Sequence, residues 1–299
     1  MSTADAAVEV PVEAVAEREP LSGRIVRFLS RAPVYLLLAF IGLLWLVPTL
    51  GLLFTSLLPS SIVSTTGWWE IVSEPSLATI DNYQEILDNE AITSAVWTTL
   101  WISLGATIAP IFVASLAAYA FAWLEFPGRD WLFLVVVALL VVPIQMALIP
   151  IFSLYNDLGL FDTILGLVLF HTAFGLPFAI FLLRNFFIGI PRDLLEAARI
   201  DGASEFRIFF RVVLPLGLPA IASLAIFQFL WVWNDLLVAL TFARETQPIT
   251  VAIFSQMRQF SANIELIAPA AFISLAIPLV VFFAFQRYFV QGLLAGSVK

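Results

Sequence analysis

The chain has 299 residues, of which 61% are hydrophobic and 12% are charged. Soluble domains are about half apolar and about a quarter charged, so an ordinary soluble protein is excluded. The formal net charge is −8, whereas nucleic-acid-binding proteins typically carry a basic surface. We therefore expect no nucleic acid partner. Cysteine is absent, which excludes disulfides, thiolate zinc sites and cysteine nucleophiles.

We expect residues 1–31 to form a largely disordered cytoplasmic tail. The first twenty contain five acidic residues, one arginine and two prolines, and such a segment cannot bury enough apolar surface to fold alone. We predict one membrane domain at residues 32–288, followed by a short cytoplasmic C-terminal tail at residues 289–299.

Six stretches are long and apolar enough to cross a bilayer, which takes about 20 mostly apolar residues. The predicted fold class is therefore an all-α membrane protein with six transmembrane helices. Several stretches contain proline, and we expect kinked helices where neighbours satisfy the freed carbonyl groups. The six spans are predicted at residues 33–58, 93–123, 131–152, 163–187, 214–242 and 266–287.

The basic residues predict the orientation of these spans. Twelve of the fourteen lie before the first span, in the second connection, around the fourth connection or after the sixth span. Because Lys and Arg accumulate on the cytoplasmic side of membrane proteins, both termini are predicted to be cytoplasmic. The connection at about 59–92 holds six acidic residues and no basic residue, as an exported loop can.

Two residue counts exclude most enzyme chemistry. Lys299 is the only lysine, so the chain cannot contain a P-loop, which needs a lysine in a glycine-rich turn. Any ATP-driven work must come from another chain. His171 is the only histidine, which excludes two-histidine metal motifs. We predict no catalytic residue, no metal ligand and no enzymatic activity in this chain.

The fourth connection, at about 190–215, reads as two short helices that meet at Gly202. Pro191 and Asp193 suit a helix start, and Glu196 and Arg199 are spaced to pair on one helical face. Gly202 can adopt the left-handed conformation that ends one helix and lets the next leave at an angle.

The second short helix carries apolar residues at helical spacing beside a basic edge formed by Arg207 and Arg211. Helices of about ten residues are marginal alone in water, so the pair must pack on something. The residues leave two interpretations open: an amphipathic hairpin lying against its own spans, or a docking surface for a cytoplasmic partner. The apolar stripe is predicted to consist of Phe206, Phe209, Phe210 and Val213.

The same segment resembles the EAA signature of ATP-binding-cassette importer permeases. Glu196-Ala197-Ala198, three residues, Gly202, nine residues and Val212-Val213-Leu214-Pro215 match that pattern, with Val212 in the place of an isoleucine. The resemblance implies that this hairpin, between the fourth and fifth spans, docks on an ATPase subunit and couples it to the spans. The predicted coupling residues are Glu196, Ala197, Ala198, Arg199, Asp201 and Gly202.

Further segments resemble the carbohydrate-importing, maltose-type branch of that family: residues 192–203, Trp233-Asn234-Asp235 and the ending at 291–299. The resemblance implies the smaller six-span subunit of a sugar importer in a bacterial or archaeal plasma membrane. It implies a second permease subunit, an ATPase dimer and an extracytoplasmic sugar-binding protein as partners, besides membrane lipid. ATP and Mg²⁺ would be bound by the ATPase, and this chain would hold no cofactor. Thr66-Gly67-Trp68-Trp69 resembles α-glucoside-type members.

Few polar residues lie inside the spans, and such residues usually face a cavity or a partner. Gln228, Trp231 and Asp235 fall on one face of the predicted fifth helix, with Asn234 beside them. They form either a substrate pathway or hydrogen bonds that hold helices together. His171 and Gln145 leave the same choice between a transport role and a helix contact.

An alternative function is an ion-coupled secondary transporter of a small polar solute. Such a protein needs intramembrane carboxylates or histidines to carry its ion, and Asp235 and His171 are few for that task. A scaffold or receptor without transport activity is a third interpretation, and it predicts that a bulky residue at position 202 leaves solute uptake unchanged.

Overall fold

The computed structural model describes residues 21–259 and 264–297, and the side chains of residues 32–257 and 266–287. Residues 1–20 of the predicted N-terminal tail, and the last two residues of the chain, lie outside this range. The regular elements of the described residues are all helical, which confirms the predicted fold class. The helices are α1 (Leu21–Ser56), α2 (Ser60–Val63), α3 (Glu70–Ser73), α4 (Asp81–Asp88), α5 (Glu90–Trp123), α6 (Arg129–Leu139), α7 (Ile144–Leu158), α8 (Ile164–Ile188), α9 (Arg192–Ile200), α10 (Glu205–Ile208), α11 (Leu214–Trp233), α12 (Leu237–Phe242), α13 (Ile249–Gln259) and α14 (Ile264–Ser297).

Within the part of the chain that the structure describes, five helical segments are long and apolar enough to span a membrane, and each overlaps one of the six predicted spans. The chain divides into two compact units at Gly51. In the first unit, the apolar side chains of α1 are exposed almost without interruption from Val34 to Leu50. The five segments are Ala32–Ser56, Glu90–Trp123, Ile164–Ile188, Glu205–Trp233 and Leu266–Arg287.

The third predicted span, at 131–152, is not one helix, and this prediction is wrong in that respect. It is a pair, α6 and α7, bent by 96° at a short break. Pro143 lies at the break with an extended backbone, φ −66° and ψ 130°. Proline has no N–H to continue the helical hydrogen bonds and it pushes the preceding residue out of the helical region. Pro150 is accommodated inside α7.

The fifth span also differs from its predicted limits of 214–242. It begins at Glu205, runs through a π-helical segment, Phe209–Val213, and ends at Trp233. The remaining residues form a separate short helix, α12. The indole N–H of Trp233 donates a hydrogen bond to the Ser274 carbonyl, at 3.0 Å, and this bond ties the end of α11 to α14.

The packing of the second unit centres on α5, whose small side chains let α8 and α11 approach closely. Ala106, Ala114 and Ala118 are fully buried, and close approach through small residues is how membrane helices associate without a hydrophobic driving force. One apolar core joins the Trp123 end of α5 to α8, to α11 and to the fourth connection. The fourth connection is therefore packed against the spans.

Two connections outside that core are joined by Asp162, between α7 and α8. Its backbone φ is +57°, which aspartate tolerates better than most residues. The carboxylate accepts hydrogen bonds from the amide N–H groups of Arg244, Glu245 and Thr246, at 2.8, 3.0 and 2.9 Å. Burial alone would raise the pKa of Asp162, but these amide groups outweigh it and hold that pKa below its ordinary value.

We expect Asp162→Asn to weaken this connection by about 1 to 2 kcal/mol, because charge-assisted hydrogen bonds are stronger than neutral ones. Asparagine keeps the tolerance for positive φ. Since the folded-state pKa lies below the ordinary value of 3.8, the contribution of Asp162 is complete above that pH and is lost as the pH falls through the lowered pKa. Hydrogen exchange of the amides at 244–246 should show a difference between the two proteins at neutral pH that vanishes in strong acid. Asp157→Asn, at an exposed position on α7, is the control and should leave exchange unchanged.

Candidate functional site

The fourth connection is a helical hairpin with a glycine turn. Gly202 has a φ of +78°, which confirms its predicted left-handed conformation. Its N–H donates to the carbonyl of Arg199 at 3.0 Å, and the N–H of Ala203 donates to the carbonyl of Ala198 at 3.0 Å. This pair of bonds is a Schellman motif, which satisfies the last carbonyls of α9. The hairpin angle is thus set by a defined hydrogen-bonded turn.

The charged side chains of the hairpin pair differently from the prediction. Glu196 accepts from Arg192 at 2.8 Å, one helical turn earlier, instead of pairing with Arg199. Arg199 reaches across the turn to Glu205, with its Nε 3.0 Å from Oε1 and its Nη2 3.4 Å from Oε2. The hydrogen bond to Glu205 raises the pKa of Arg199 above its ordinary value, although burial acts in the opposite direction. The two arms of the hairpin are therefore joined by an ion pair.

The prediction that the apolar residues of the second arm, residues 205–213, lie on a single face is also wrong. Phe209 and Val213 are buried, whereas Phe206 is 73% exposed and Phe210 is 48% exposed. The reason is the π-helical segment, in which each hydrogen bond spans five residues and the side chains lie out of register with an α-helix. The second arm is moreover continuous with the fifth span, so any movement of it displaces that span directly.

The surface of the hairpin that remains uncovered combines apolar and acidic groups. Leu195 is completely buried and attaches α9 to the core shared with α5 and α8. Glu196 and Ala197 lie on the exposed side of the same helix, together with Ile200, which is 86% exposed. Exposed apolar side chains beside a charged residue are typical of a protein-binding surface. Asp201, the C-cap of α9, and Gly202 are exposed at the turn.

Sequence reasoning missed Tyr119 and Glu205 as members of this site. Tyr119 lies on α5, and its hydroxyl donates a hydrogen bond to Oε2 of Glu205. The contact joins residues 86 positions apart in the chain, and no local spacing pattern reports a contact of that kind. A lone tyrosine near the end of an apolar span was the only available signal.

The second set of predicted residues lies at the end of α11 and does not form one helical face. The helix ends at Trp233, so Asn234 and Asp235 are outside it, and the prediction that Asp235 shares a helical face with Gln228 is wrong. The Asn234 side-chain amide donates a hydrogen bond to the carbonyl of Leu230, in the last turn of α11, at 2.7 Å.

Asp235 holds together the segments that follow the fifth span. Its carboxylate accepts from the N–H groups of Val238 and Ala239, at 3.3 and 3.0 Å, and so caps α12. Oδ2 also lies 3.6 Å from Nε2 of His171 on α8. The ring of Trp231 meets the His171 ring edge-on at 5.1 Å and remains 40% exposed. Trp231, His171 and Asp235 are therefore neighbours, in contact through His171.

Gln228 lies between helices. It is 4% exposed, and its amide donates to the carbonyls of Ala106 on α5 and His171 on α8, at 3.0 and 3.4 Å. A Cβ added to Gly175 would lie only 2.5 Å from this amide, so the glycine makes room for it. These contacts favour a helix-linking role for Gln228. Gln145 is exposed on α7.

Comparison with known proteins agrees with this architecture. Residues 110–294, more than half of the chain, match the family described as "Binding-protein-dependent transport system inner membrane component". The chain belongs to this family. It is therefore a multi-pass permease component of the inner membrane, and family membership does not favour the alternative of an ion-coupled secondary transporter.

Among its relatives, the permease is 46% identical over 284 residues to the osmoprotective compounds uptake permease protein GgtD of Synechocystis sp., covering 93% of this chain and 95% of that one. It is 50% identical over 233 residues to the alpha-glucoside transport system permease protein AglG of Rhizobium meliloti, covering 75% of this chain and 61% of the relative. It is 38% identical over 259 residues to the trehalose transport system permease protein SugB of Mycobacterium tuberculosis, with 85% and 92% covered.

The fold of the permease matches a solved structure as well. A crystal structure of a bacterial ABC transporter involved in the import of alginate superposes with a TM-score of 0.72 at 21% identity, covering 91% of this chain and 99% of that one. At this level of identity the likeness shows that the two chains share a fold.

Proposed function

We propose that this permease is one of two membrane-spanning subunits of an ATP-driven sugar importer, and that the hairpin at about 190–215 couples it to a cytoplasmic ATPase. The observation that carries the proposal is the hairpin itself. The Glu196-Ala197-Ala198 run lies on a helix that is anchored by Leu195, exposed on its other side and ended by the Gly202 turn. A packed base and an uncovered acidic and apolar surface are what a docking element requires.

The geometry supports a direct route from docking to transport. The second arm of the hairpin continues into α11 without a break, so displacement of the arms by a closing ATPase dimer would tilt the fifth span. ATP binding would draw the hairpins of the two permease subunits together and open the pathway outward, and hydrolysis would reset it inward. ATP and Mg²⁺ would be held by the ATPase, and this chain would contribute neither a cofactor site nor catalytic residues. This scheme requires both termini, the tails at 1–31 and 289–299 included, to be cytoplasmic.

The relatives support a glucoside as the substrate. Their descriptions name alpha-glucosides, trehalose and osmoprotective compounds, and the first two are neutral glucosides. Trp231 is the member of the predicted pathway set with the most suitable position, because a partly exposed indole can stack on a sugar ring. Its ring also packs against the His171 ring. We propose Trp231 as a pathway residue with Asp235 and Asn234 near it, and an extracytoplasmic sugar-binding protein as the donor of the substrate.

Crosslinking tests the hairpin assignment, and the natural absence of cysteine means that this chain contributes no competing thiol. Ala197→Cys, on the exposed side of α9, should capture an ATPase subunit when the complex is treated with a short thiol-to-amine crosslinker. Ser61→Cys, exposed in the connection after α1, is the control and should capture none. Capture of an ATPase at position 61 and not at position 197 would contradict the proposed orientation.

Transport itself is tested in proteoliposomes that contain the co-purified complex and its binding protein. Labelled trehalose, maltose, sucrose and glucosylglycerol are offered with and without internal ATP. At least one of these sugars should accumulate, and only when ATP is present. Accumulation driven by a proton gradient without ATP, or uptake of none of the four, would overturn the proposed function.

A further inference from the structure

Three side chains from three helices meet at the base of the hairpin. Glu205, the first residue of α10, accepts hydrogen bonds from Arg199 on α9 and from the Tyr119 hydroxyl on α5. We call Tyr119, Arg199 and Glu205 the hairpin node. Glu205 bonds to both of the others through its carboxylate oxygens, and it therefore links the two arms to each other and both arms to the second span.

The node lies at the border between the apolar core and the exposed hairpin. Tyr119 is 5% exposed, and its ring packs against Phe209 with the ring centres 5.4 Å apart. Phe209 is the first residue of the π-helical segment. Glu205 and Arg199 lie further out and remain partly exposed. The tyrosine thus reaches from a packed helix to the charged end of the second arm.

Besides the apolar core that it shares with α5 and α8, the second arm of the hairpin has two connections to the membrane domain. The covalent connection runs through α10 and the π-helical segment into α11. The second connection runs through the node into α5, which packs along both α8 and α11. This covalent path passes through a π-helical segment, which interrupts the regular hydrogen bonding of the helix, and it leads to the fifth span. The first arm, α9, follows α8, the fourth span, in the chain.

We propose that Tyr119, Arg199 and Glu205 are positioning residues that carry movement of the hairpin into α5, so that the second and fifth spans move together during transport. This inference rests on the proposed coupling function of the hairpin and assigns its connection to a second span. A charge-assisted hydrogen bond of this kind shifts a two-state equilibrium by about tenfold or more, which is enough to decide whether α5 follows the hairpin.

The test measures sugar moved per ATP hydrolysed, in proteoliposomes containing the whole complex and the sugar that the wild-type complex takes up. Tyr119→Phe keeps the ring packing on Phe209 and removes only the hydroxyl, and it should lower the ratio about tenfold. Glu205→Ala should do the same. Glu205→Gln keeps an oxygen that accepts from Tyr119, and it should restore most of the ratio lost in Glu205→Ala.

A matched control separates coupling from stability. Tyr155→Phe also removes a buried tyrosine hydroxyl, one that donates to the carbonyl of Gly166 at 2.9 Å on α8, away from the hairpin. It should lower the melting temperature of the complex and leave the ratio unchanged. A purely structural role for Tyr119 predicts the same behaviour for Tyr119→Phe.

The outcomes are distinct. If the wild-type complex couples uptake to ATP and neither Tyr119→Phe nor Glu205→Ala changes the ratio, the inference is overturned and the proposed function stands. If Tyr119→Phe does not assemble, the comparison of Glu205→Ala with Glu205→Gln decides, because equal ratios in those two variants would overturn the inference. If the wild-type complex shows no ATP-dependent uptake, both proposals fail.

Discussion

Replacing Gly202 with valine should reduce ATP-driven uptake to about one hundredth of the wild-type rate or less, while the chain still inserts and assembles its spans. Gly202 has a φ of +78°, and a β-branched residue in that region costs about 1 to 3 kcal/mol. A Cβ at this position would meet no atom within 4 Å, so the effect is conformational. The Schellman turn must change, and the docking helix α9 then points in a different direction from its partner surface.

The measurement is initial uptake in proteoliposomes, with chymotrypsin digestion to verify membrane insertion. Gly128 provides a matched control, since it has a φ of +81° and open space around its Cβ position, but it precedes α6. Gly128→Val introduces the same kind of strain outside the hairpin, and it should retain uptake within about twofold. Equal loss in both variants would assign the effect to general destabilisation, and normal uptake by Gly202→Val would favour a scaffold or receptor without transport.

Reversing the charge of Glu196 should be nearly as severe for uptake, at almost no cost in folding. Glu196 is 51% exposed and pairs with Arg192, which is 73% exposed, and a surface ion pair of this kind contributes about 0 to 1 kcal/mol. Loss of a charge partner across a desolvated interface costs about 2 to 5 kcal/mol. Glu196→Lys should therefore lower uptake at least about thirtyfold through weakened ATPase docking, with the melting temperature of the isolated permease almost unchanged.

Co-purification of the ATPase with the Glu196→Lys permease gives the direct readout, because the bound amount should fall with uptake. Glu196→Gln removes the charge without reversing it and should give an intermediate value. Glu125→Lys makes the same change at an exposed position in the connection before α6, and it should leave docking and uptake near wild type. Full ATPase recovery with Glu196→Lys would contradict a role for this residue in docking.

The long helices and the glycine turn were predictable because their causes are local. A run of apolar residues is enough to specify a spanning helix when lipid replaces water as the solvent, and five spans overlap the stretches that the sequence predicts. Gly202 was recognisable because only glycine adopts a left-handed conformation at little cost. The break before α7 has a local cause as well, Pro143, yet its 96° bend exceeds the kink expected from proline alone, because the preceding residues leave the helix too.

The ionic contacts of the site were not predictable from spacing. Arg199 has Glu196 three residues before it and Glu205 six residues after it, and helical spacing favours the first partner. The turn at Gly202 brings Glu205 within 3.0 Å of Arg199, and Glu196 pairs with Arg192. Asp235 was likewise assigned to a helical face, whereas α11 ends at Trp233 and the carboxylate caps α12.

The sequence alone therefore determined the class of the protein, the approximate place of five of its spans and the hairpin with its hinge, since hydropathy, charge and backbone preference act within a few residues. Tertiary structure decided which side chains meet: Tyr119 with Glu205, His171 with Asp235, and Gln228 with the carbonyl of Ala106. These partners lie in different elements, from 64 to 122 positions apart, and they meet only because the packing of α5, α8 and α11 brings those elements into contact.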